Sequence, residues 1–259
     1  MSGMVTLTTD FGMRDPYVAA LKGVIQGISP RLMIVDLTHE IAPQDVLEAS
    51  LFLVGATPYF PKETVHCVVI DPGVGTGRLP LAVKLERHVV VCPDNGLLSL
   101  LIRFNPLVEA RVIQNPKLMR ETISATFHGR DIFAPVAAYL AAGTPFEDVG
   151  DVVDTIQLLS IPEPQQCTDG TVSGQVIHID RFGNAITNIH RRFCRGDAIK
   201  RLSAGEVRLE AICRTYADVE QGAALALFGS SDHLEIAVNH GRSDERLSLK
   251  RGDTVVLEW

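Results

Sequence analysis

The chain has 259 residues, 46% hydrophobic and 21% charged, with a formal net charge of −7. That length holds one large domain or two modest ones, and the longest apolar runs, such as 97–102, fall well short of the ~20 residues needed to span a bilayer. The acidic balance argues against a large nucleic-acid footprint, which needs clustered Lys and Arg to displace counterions; the one basic cluster, Arg191-Arg192 to Arg195, is short and reads as a solvated loop.

In chain order, Met1-Ser2-Gly3 leads directly into a strand, without the basic and apolar regions of an export signal, so a cytoplasmic protein is expected. Short β-branched runs at 5–8, 32–37, 65–70, 81–85 and 88–92 read as buried strands, and 17–28 and 45–56 carry apolar residues at three-four spacing, which predicts helices. This alternation predicts a parallel or mixed sheet covered by helices. A last helix runs from Asp131 to about Ala142, with Gly143 as its C-terminal stop. The expectation is an α/β protein whose N-terminal three-layer α/β domain, with a central sheet, occupies 1–160.

After Gly150 the texture changes. Ile161-Pro162-Glu163-Pro164-Gln165-Gln166 resembles a linker, and the runs at 172–179, 207–212, 223–228, 234–238 and 254–257 are short and separated by Gly, Asp, Asn and Ser. They predict a smaller C-terminal β-barrel domain over 166–259. The five cysteines are scattered, contain no C-x-x-C pair, and read as reduced packing residues rather than a disulfide framework or a zinc site.

Three polar clusters at strand or helix ends point to one shared site: Thr8-Thr9-Asp10-Phe11-Gly12, Asp71-Pro72-Gly73-Val74-Gly75-Thr76-Gly77-Arg78, and Thr126-Phe127-His128-Gly129-Arg130-Asp131. The glycine loop lacks both Gly-Lys-Ser/Thr and G-x-G-x-x-G spacing, so it is not a nucleotide-phosphate cradle; it is a tight turn or a ligand loop bracketed by Asp71 and Arg78. Asp10 is placed either to cap the next helix, a task for which Asp15 is better sited, or to accept from the two hydroxyls of a vicinal diol. His128 is an ordinary residue before a helix or a partner of Asp71 and Arg78, while Asp131 has the position of an N-cap. A carboxylate beside a guanidinium stays ionised and can take a proton from water, directly or through histidine. The competing use of Asp10, Asp71, His128 and Asp131 is a metal site, but no H-x-H, H-E-x-x-H or D-x-D spacing supports it and Arg78 would repel a dication. In the second half, Asp180-Arg181-Phe182-Gly183-Asn184, Thr187 and Asn188 form either a capped turn or the polar wall for a zwitterionic head group. Phe228-Gly229-Ser230-Ser231 is a hairpin loop or a source of backbone donors.

Together with P-D-N-G-L-L-S at 93–99 and L-E-I-A-V-N at 234–239, these ordered motifs resemble the S-adenosyl-L-methionine (SAM) hydroxide adenosyltransferases, or SAM hydrolases, a family related to the fluorinase and chlorinase enzymes. The resemblance covers essentially the whole chain. It implies water activation by Asp71, Arg78 and His128, a ribose-gripping Asp10, and contacts to adenine or the methionine moiety from Asp180, Asn184, Ser230, Glu235 and Val238. It implies hydrolysis of SAM to adenosine and L-methionine by in-line attack on C5′, with no metal or organic cofactor, in a homotrimer whose sites lie between subunits. The related halogenases carry a serine-containing turn where His128-Gly129 stands, which implies water rather than halide as nucleophile. Asp232-His233 departs from the glycine and aromatic common in the family and bears on the methionine end. A metal-dependent hydrolase and a non-catalytic SAM or adenosine sensor are the two alternatives from other classes.

Overall fold

The structure is a computed structural model that describes residues 3–167, 170–194 and 201–258. The chain divides into two compact units, Met1–Leu159 and Ser160–Trp259.

In the first unit, β1 (Met4–Thr9), α1 (Tyr17–Ile28), β2 (Met33–Thr38), α2 (Val46–Ala56), β3 (Val65–Val69), β4 (Pro80–Leu85), β5 (Val89–Pro93), α3 (Leu101–Phe104), β6 (Leu107–Val112) and α4 (Ala134–Ala141) follow in order. Six strands form one sheet in the order β2-β1-β3-β5-β4-β6. β1 runs parallel to β2 and β3, and β3 parallel to β5, while β4 is antiparallel to both of its neighbours. Alternate residues face opposite sides of a strand. Val65, Cys67 and Val69 accordingly enter a core with Leu21, Ile25 and Phe133, whereas Val68 and Ile70 enter another with Ala49, Leu53 and Leu101. Helices thus cover both faces, giving the expected three layers.

α1 occupies the predicted span, but Asp15 does not cap it: Pro16 holds the N-cap position, with no side-chain cap. Asp45 does cap α2, accepting from the Glu48 N–H at 2.9 Å. β6 was not anticipated. It is the edge strand next to β4, and Glu109 and Arg111 interrupt its apolar pattern.

The second unit contains β7 (Gln165–Gln166), β8 (Thr171–Ile179), β9 (Ala185–His190), β10 (Arg201–Ala204), β11 (Val207–Leu209), β12 (Ala224–Phe228), β13 (His233–Val238), the single turn α5 (Ser243–Arg246) and β14 (Thr254–Glu258). The order β11-β10-β14-β8-β9-β13-β12 is antiparallel throughout and nearly closes into a barrel, because the Cys213 N–H donates to Ala226 O at 2.8 Å beyond β11. Val172, Ala185, Ile189, Leu202, Ile236 and Leu257 fill its interior. The stretch 161–166 is not a free linker: Gln165 and Gln166 pair with Ser173 and Val172, and Asn188 Nδ2 donates to Pro162 O at 2.7 Å. In the basic cluster, Arg191 pairs with Asp232 and stacks on Phe228, and Arg195 lies outside the described residues. Among the described residues no helix is long and apolar enough to cross a membrane.

The 93–99 motif fixes a strand end. Asn95 Nδ2 donates to Ile70 O at 2.9 Å, the residue before Asp71, while Asp94 accepts from Gln157 N–H and Ser99 Oγ from Leu159 N–H. Asn95→Ala removes the donor to the buried Ile70 carbonyl, and chemical denaturation should show a loss of about 1–3 kcal/mol. An unchanged midpoint would mean that this tie is idle.

Candidate active site

Three chain ends converge on the carboxyl edge of the parallel strands. β1 ends at Thr9 and hands on to Asp10; β3 ends at Val69, two residues before Asp71. Crevices outside the carboxyl ends of strands are where open α/β sheets bind ligands. A cavity of about 500 Å³ opens there, walled by Asp10, Phe11, Tyr17, Gln44, Asp71, Val74, Ser124, Thr126, Phe127, His128 and Arg130.

The glycine loop folds back on itself, with Val74 N–H on Asp71 O and Thr76 Oγ1 on Gly73 O. Gly75 has φ +76°, and a Cβ there would meet Ala125 O at 2.6 Å, so only glycine lets this loop lie against the 120–127 segment. The fold-back returns Arg78 to Asp71. Arg78 Nε donates to Asp71 Oδ1 at 2.9 Å, one terminal nitrogen donates to Asp71 Oδ2, and that same nitrogen lies 2.7 Å from His128 Nδ1. The guanidinium stacks 5.1 Å from the Phe133 ring centroid. Arg78 does not itself line the cavity; it stands behind Asp71 and His128, which do.

This geometry fixes the histidine tautomer. Arginine has only donors, so Nδ1 of His128 is an acceptor and the neutral ring carries its hydrogen on Nε2. Burial first, and then the Arg78 charge, push the His128 pKa below its ordinary 6.5 against the pull of Asp71 and Asp131. With Nδ1 engaged, the neutral ring has no free lone pair to take a proton. Of the two routes considered from sequence, direct acceptance by Asp71 remains, since each of its oxygens keeps a lone pair beyond the one used by Arg78.

Asp131 does not cap a helix. Residues Gly129–Phe133 form a π-helical turn ahead of α4, with His128 at its N-cap position and no side-chain cap. Pro135 has no N–H to give to the carbonyl four residues back, and the freed Asp131 O accepts from Arg120 N–H at 3.0 Å. The Asp131 carboxylate, fully buried, takes Arg130 and the Ser124 N–H. Burial opposes its charge, but Arg130 and Ser124 outweigh that and hold its pKa below the ordinary carboxylate value. Asp131 therefore pins the segment that supplies Ser124 and Thr126 to the wall. Among the described residues no three His, Cys, Asp or Glu side chains are gathered as a metal set.

Asp10 accepts at Oδ2 from the Gln44 N–H at 2.8 Å. Gln44 was missed in the sequence because its part is played by its backbone, at φ +67°. Phe11, Tyr17 and Phe127, also missed as a group, meet edge to face with ring centroids 5.3–6.0 Å apart and make the apolar part of the wall.

The second unit has its own cavity of about 980 Å³, and Asp180, Asn184, Ser230, Glu235 and Val238 all line it, with Tyr216, Phe182 and Arg242. Asp180 accepts from Phe182 N–H, Asn184 N–H and Asn184 Nδ2 at 2.8–3.0 Å, an Asx turn that sets both side chains. Glu235 is buried and accepts from the Tyr216 hydroxyl at 3.2 Å; burial raises its pKa. Thr187 and Asn188 do not line this cavity: Thr187 Oγ1 donates to Leu234 O, and Asn188 bridges Gln175 N–H and Pro162 O. His233 Nδ1 lies 3.1 Å from Ser231 O, so the Asp232-His233 departure acts on the loop that carries Ser230.

An arginine joining a carboxylate to an imidazole at the strand ends, on an α/β unit followed by an antiparallel barrel, is the arrangement of a two-domain α/β plus β-barrel protein with a polar strand-end site. The chain belongs to the SAM hydroxide adenosyltransferase family: the N-terminal domain of that family matches residues 5–150 and the C-terminal domain residues 174–256. It is 40% identical to an (R)-S-adenosyl-L-methionine hydrolase of Thermus thermophilus, over 98% of each chain. A fluorinase of Nocardia brasiliensis is 30% identical over 98% of this chain and 96% of its own. The crystal structure of an uncharacterized conserved protein from Thermotoga maritima superposes with a TM-score of 0.92 at 38% identity, covering 99% of this chain and 100% of that one.

The charges around His128 give a two-sided test. By NMR its imidazole should titrate below 6.5; Asp71→Asn should lower the midpoint further, because Asp71 favours the protonated ring, and Arg78→Ala should raise it. Equal midpoints in all three proteins would show that the three side chains are not coupled.

Proposed function

We propose that this protein hydrolyses SAM to adenosine and L-methionine. The carrying observation is that Asp71 and His128, joined from behind by Arg78, line the cavity that also holds Asp10. Asp10 accepts from the ribose hydroxyls, and the aromatic wall shields the reacting carbon from bulk water. A water held by Asp71 and the His128 Nε2–H attacks C5′ in line with the sulfonium. The new bond is O–C5′; the C5′–S bond breaks and its electron pair goes to sulfur, while the water proton goes to Asp71.

The leaving group departs as a neutral thioether, so no general acid is required and the burden falls on the nucleophile. Water has a pKa of ~15.7, so positioning and the nearby guanidinium must stabilise developing hydroxide. Arg78 sits behind the wall with its charge balanced by Asp71, which lets a cationic substrate approach. The scheme needs no metal or organic cofactor. The names of the hydrolase relatives favour the (R) epimer at sulfur as substrate. Asp180, Asn184, Ser230, Glu235 and Val238 hold the adenine or methionine ends, in a homotrimer with the active site between subunits. The cytoplasm is its place of action, which suits the buried reduced thiols of Cys67 and Cys92.

Chelator-treated protein incubated with SAM in heavy-oxygen water should yield adenosine labelled at its 5′ oxygen beside methionine. Tight binding without turnover would favour the sensor reading, and activity restored only by an added divalent ion a metallohydrolase. Asp71→Ala should lower kcat by roughly 10²–10⁴-fold; a near wild-type rate would remove Asp71 from the mechanism. Light scattering should give three times the 28.2 kDa of one chain.

A further inference from the structure

Next to Asp10, at the end of β1, lies a second ordered set of polar side chains that the mechanism does not use. Thr9, the last residue of β1, is fully buried, and its Oγ1 lies 2.9 Å from Nδ1 of the buried His39. The same Oγ1 accepts from the Phe11 N–H at 3.2 Å. The His39 backbone carbonyl accepts from the Gly12 N–H at 2.8 Å. On the other edge of the ring, Nε2 lies 3.2 Å from Asp36 Oδ1, off the line of a good hydrogen bond, so that contact is chiefly electrostatic. Asp36 Oδ2 in turn takes Lys22 Nζ at 2.5 Å. Burial works against the Asp36 charge, but Lys22 and His39 outweigh it and keep its pKa below the ordinary carboxylate value.

The Thr9 hydroxyl oxygen accepts from the Phe11 N–H, and it meets His39 Nδ1 either as donor to a bare ring nitrogen or as acceptor from its N–H; the contact ties Thr9 to the ring in both cases. The set has the residue types of a hydroxyl, imidazole and carboxylate relay, yet Thr9 has no exposed surface and none of the three lines the cavity. Its product is therefore geometric. It fixes the backbone that follows Asp10, through Phe11 and Gly12, while Gln44 N–H fixes the carboxylate itself.

We propose that His39 is a positioning residue that, through Thr9, holds the 10–12 loop in its ligand-ready form. Loop order that is present before the ligand arrives appears as affinity, because binding then loses less conformational freedom. The inference rests on the reading of Asp10 as the ribose acceptor, and the nucleoside probe is adenosine.

The experiment pairs Thr9→Val, which keeps the side-chain shape and removes the hydroxyl, with His39→Asn and His39→Gln. An asparagine amide reaches about as far as Nδ1 and can still meet Thr9; a glutamine amide reaches toward Nε2. Deuterium exchange in the full-length protein should quicken about tenfold at Phe11 and Gly12 in Thr9→Val and His39→Gln, with β3 unchanged and His39→Asn close to wild type. The adenosine Kd should weaken about tenfold in the same two variants, with the single-turnover rate at saturating SAM changed less than about threefold. Unchanged loop exchange and Kd in Thr9→Val, or an Asn variant no better than Gln, would overturn the proposal. A wild-type protein that neither binds adenosine nor consumes SAM would instead overturn the nucleoside reading, and the exchange arm would still decide the role of His39.

Discussion

Asp71 and Arg78 face each other with side chains 6% and 7% exposed, so two opposite charges are held out of water at the end of β3. Removing one partner from such a pair typically costs about 3–5 kcal/mol, since the other charge is left without compensation. Each surrounding feature serves this contact: the glycine turn that brings Arg78 back, the Phe133 face under the guanidinium, the Asn95 tie on Ile70, and the His128 ring that meets the terminal nitrogen bound to Asp71. Arginine suits the place because it stays charged and presents donors in a planar fork, where a lysine would offer a point charge. It also sets the state of its neighbours, by fixing the tautomer of His128 and orienting Asp71.

The wall opposite is built by a different economy of groups. Pro135 cannot donate to Asp131, so that carbonyl and the buried carboxylate together hold the loop of Ser124 and Thr126. π-helical turns often accompany functional sites, and here the turn at Gly129–Phe133 carries His128 at one end and Phe133, the ring under Arg78, at the other. In the second unit the same principle recurs on a smaller scale. Asp180 accepts three hydrogen bonds within its own turn, and in doing so fixes Asn184 at the cavity edge.

Much of the site was legible because charged and glycine-rich segments stood at the ends of apolar runs. Asp71, Arg78, His128 and Asp10 were all chosen on that ground, and the structure brings Asp71, His128 and Asp10 to one cavity with Arg78 behind them. Thr187 and Asn188, chosen on the same ground, turn inward to satisfy backbone groups. Polar residue types near a turn do not reveal which way a strand's pleat aims them. Asp131 and Asp15 were misread as caps: a π-helical turn moved the start of the one helix back to Gly129, and Pro16 rather than Asp15 holds the N-cap position of the other. Gln44 and the joint role of Phe11, Tyr17 and Phe127 carry no local signal; their parts lie in a backbone N–H and in rings that meet from the 11–17 and 127 segments.

The sequence alone determined the alternation of strands and helices, the change of texture after Gly150 and the family, because periodicity and ordered motifs are local properties of the chain. Only the tertiary structure decided that one guanidinium joins Asp71 to His128, that the imidazole is an acceptor at Nδ1, and that His39 reaches the loop beside Asp10. The Thr9–His39 and Arg78–His128 contacts join residues 30 and 50 positions apart through hydrogen bonds whose direction depends on strand order and pleat, and no short window of sequence contains that information.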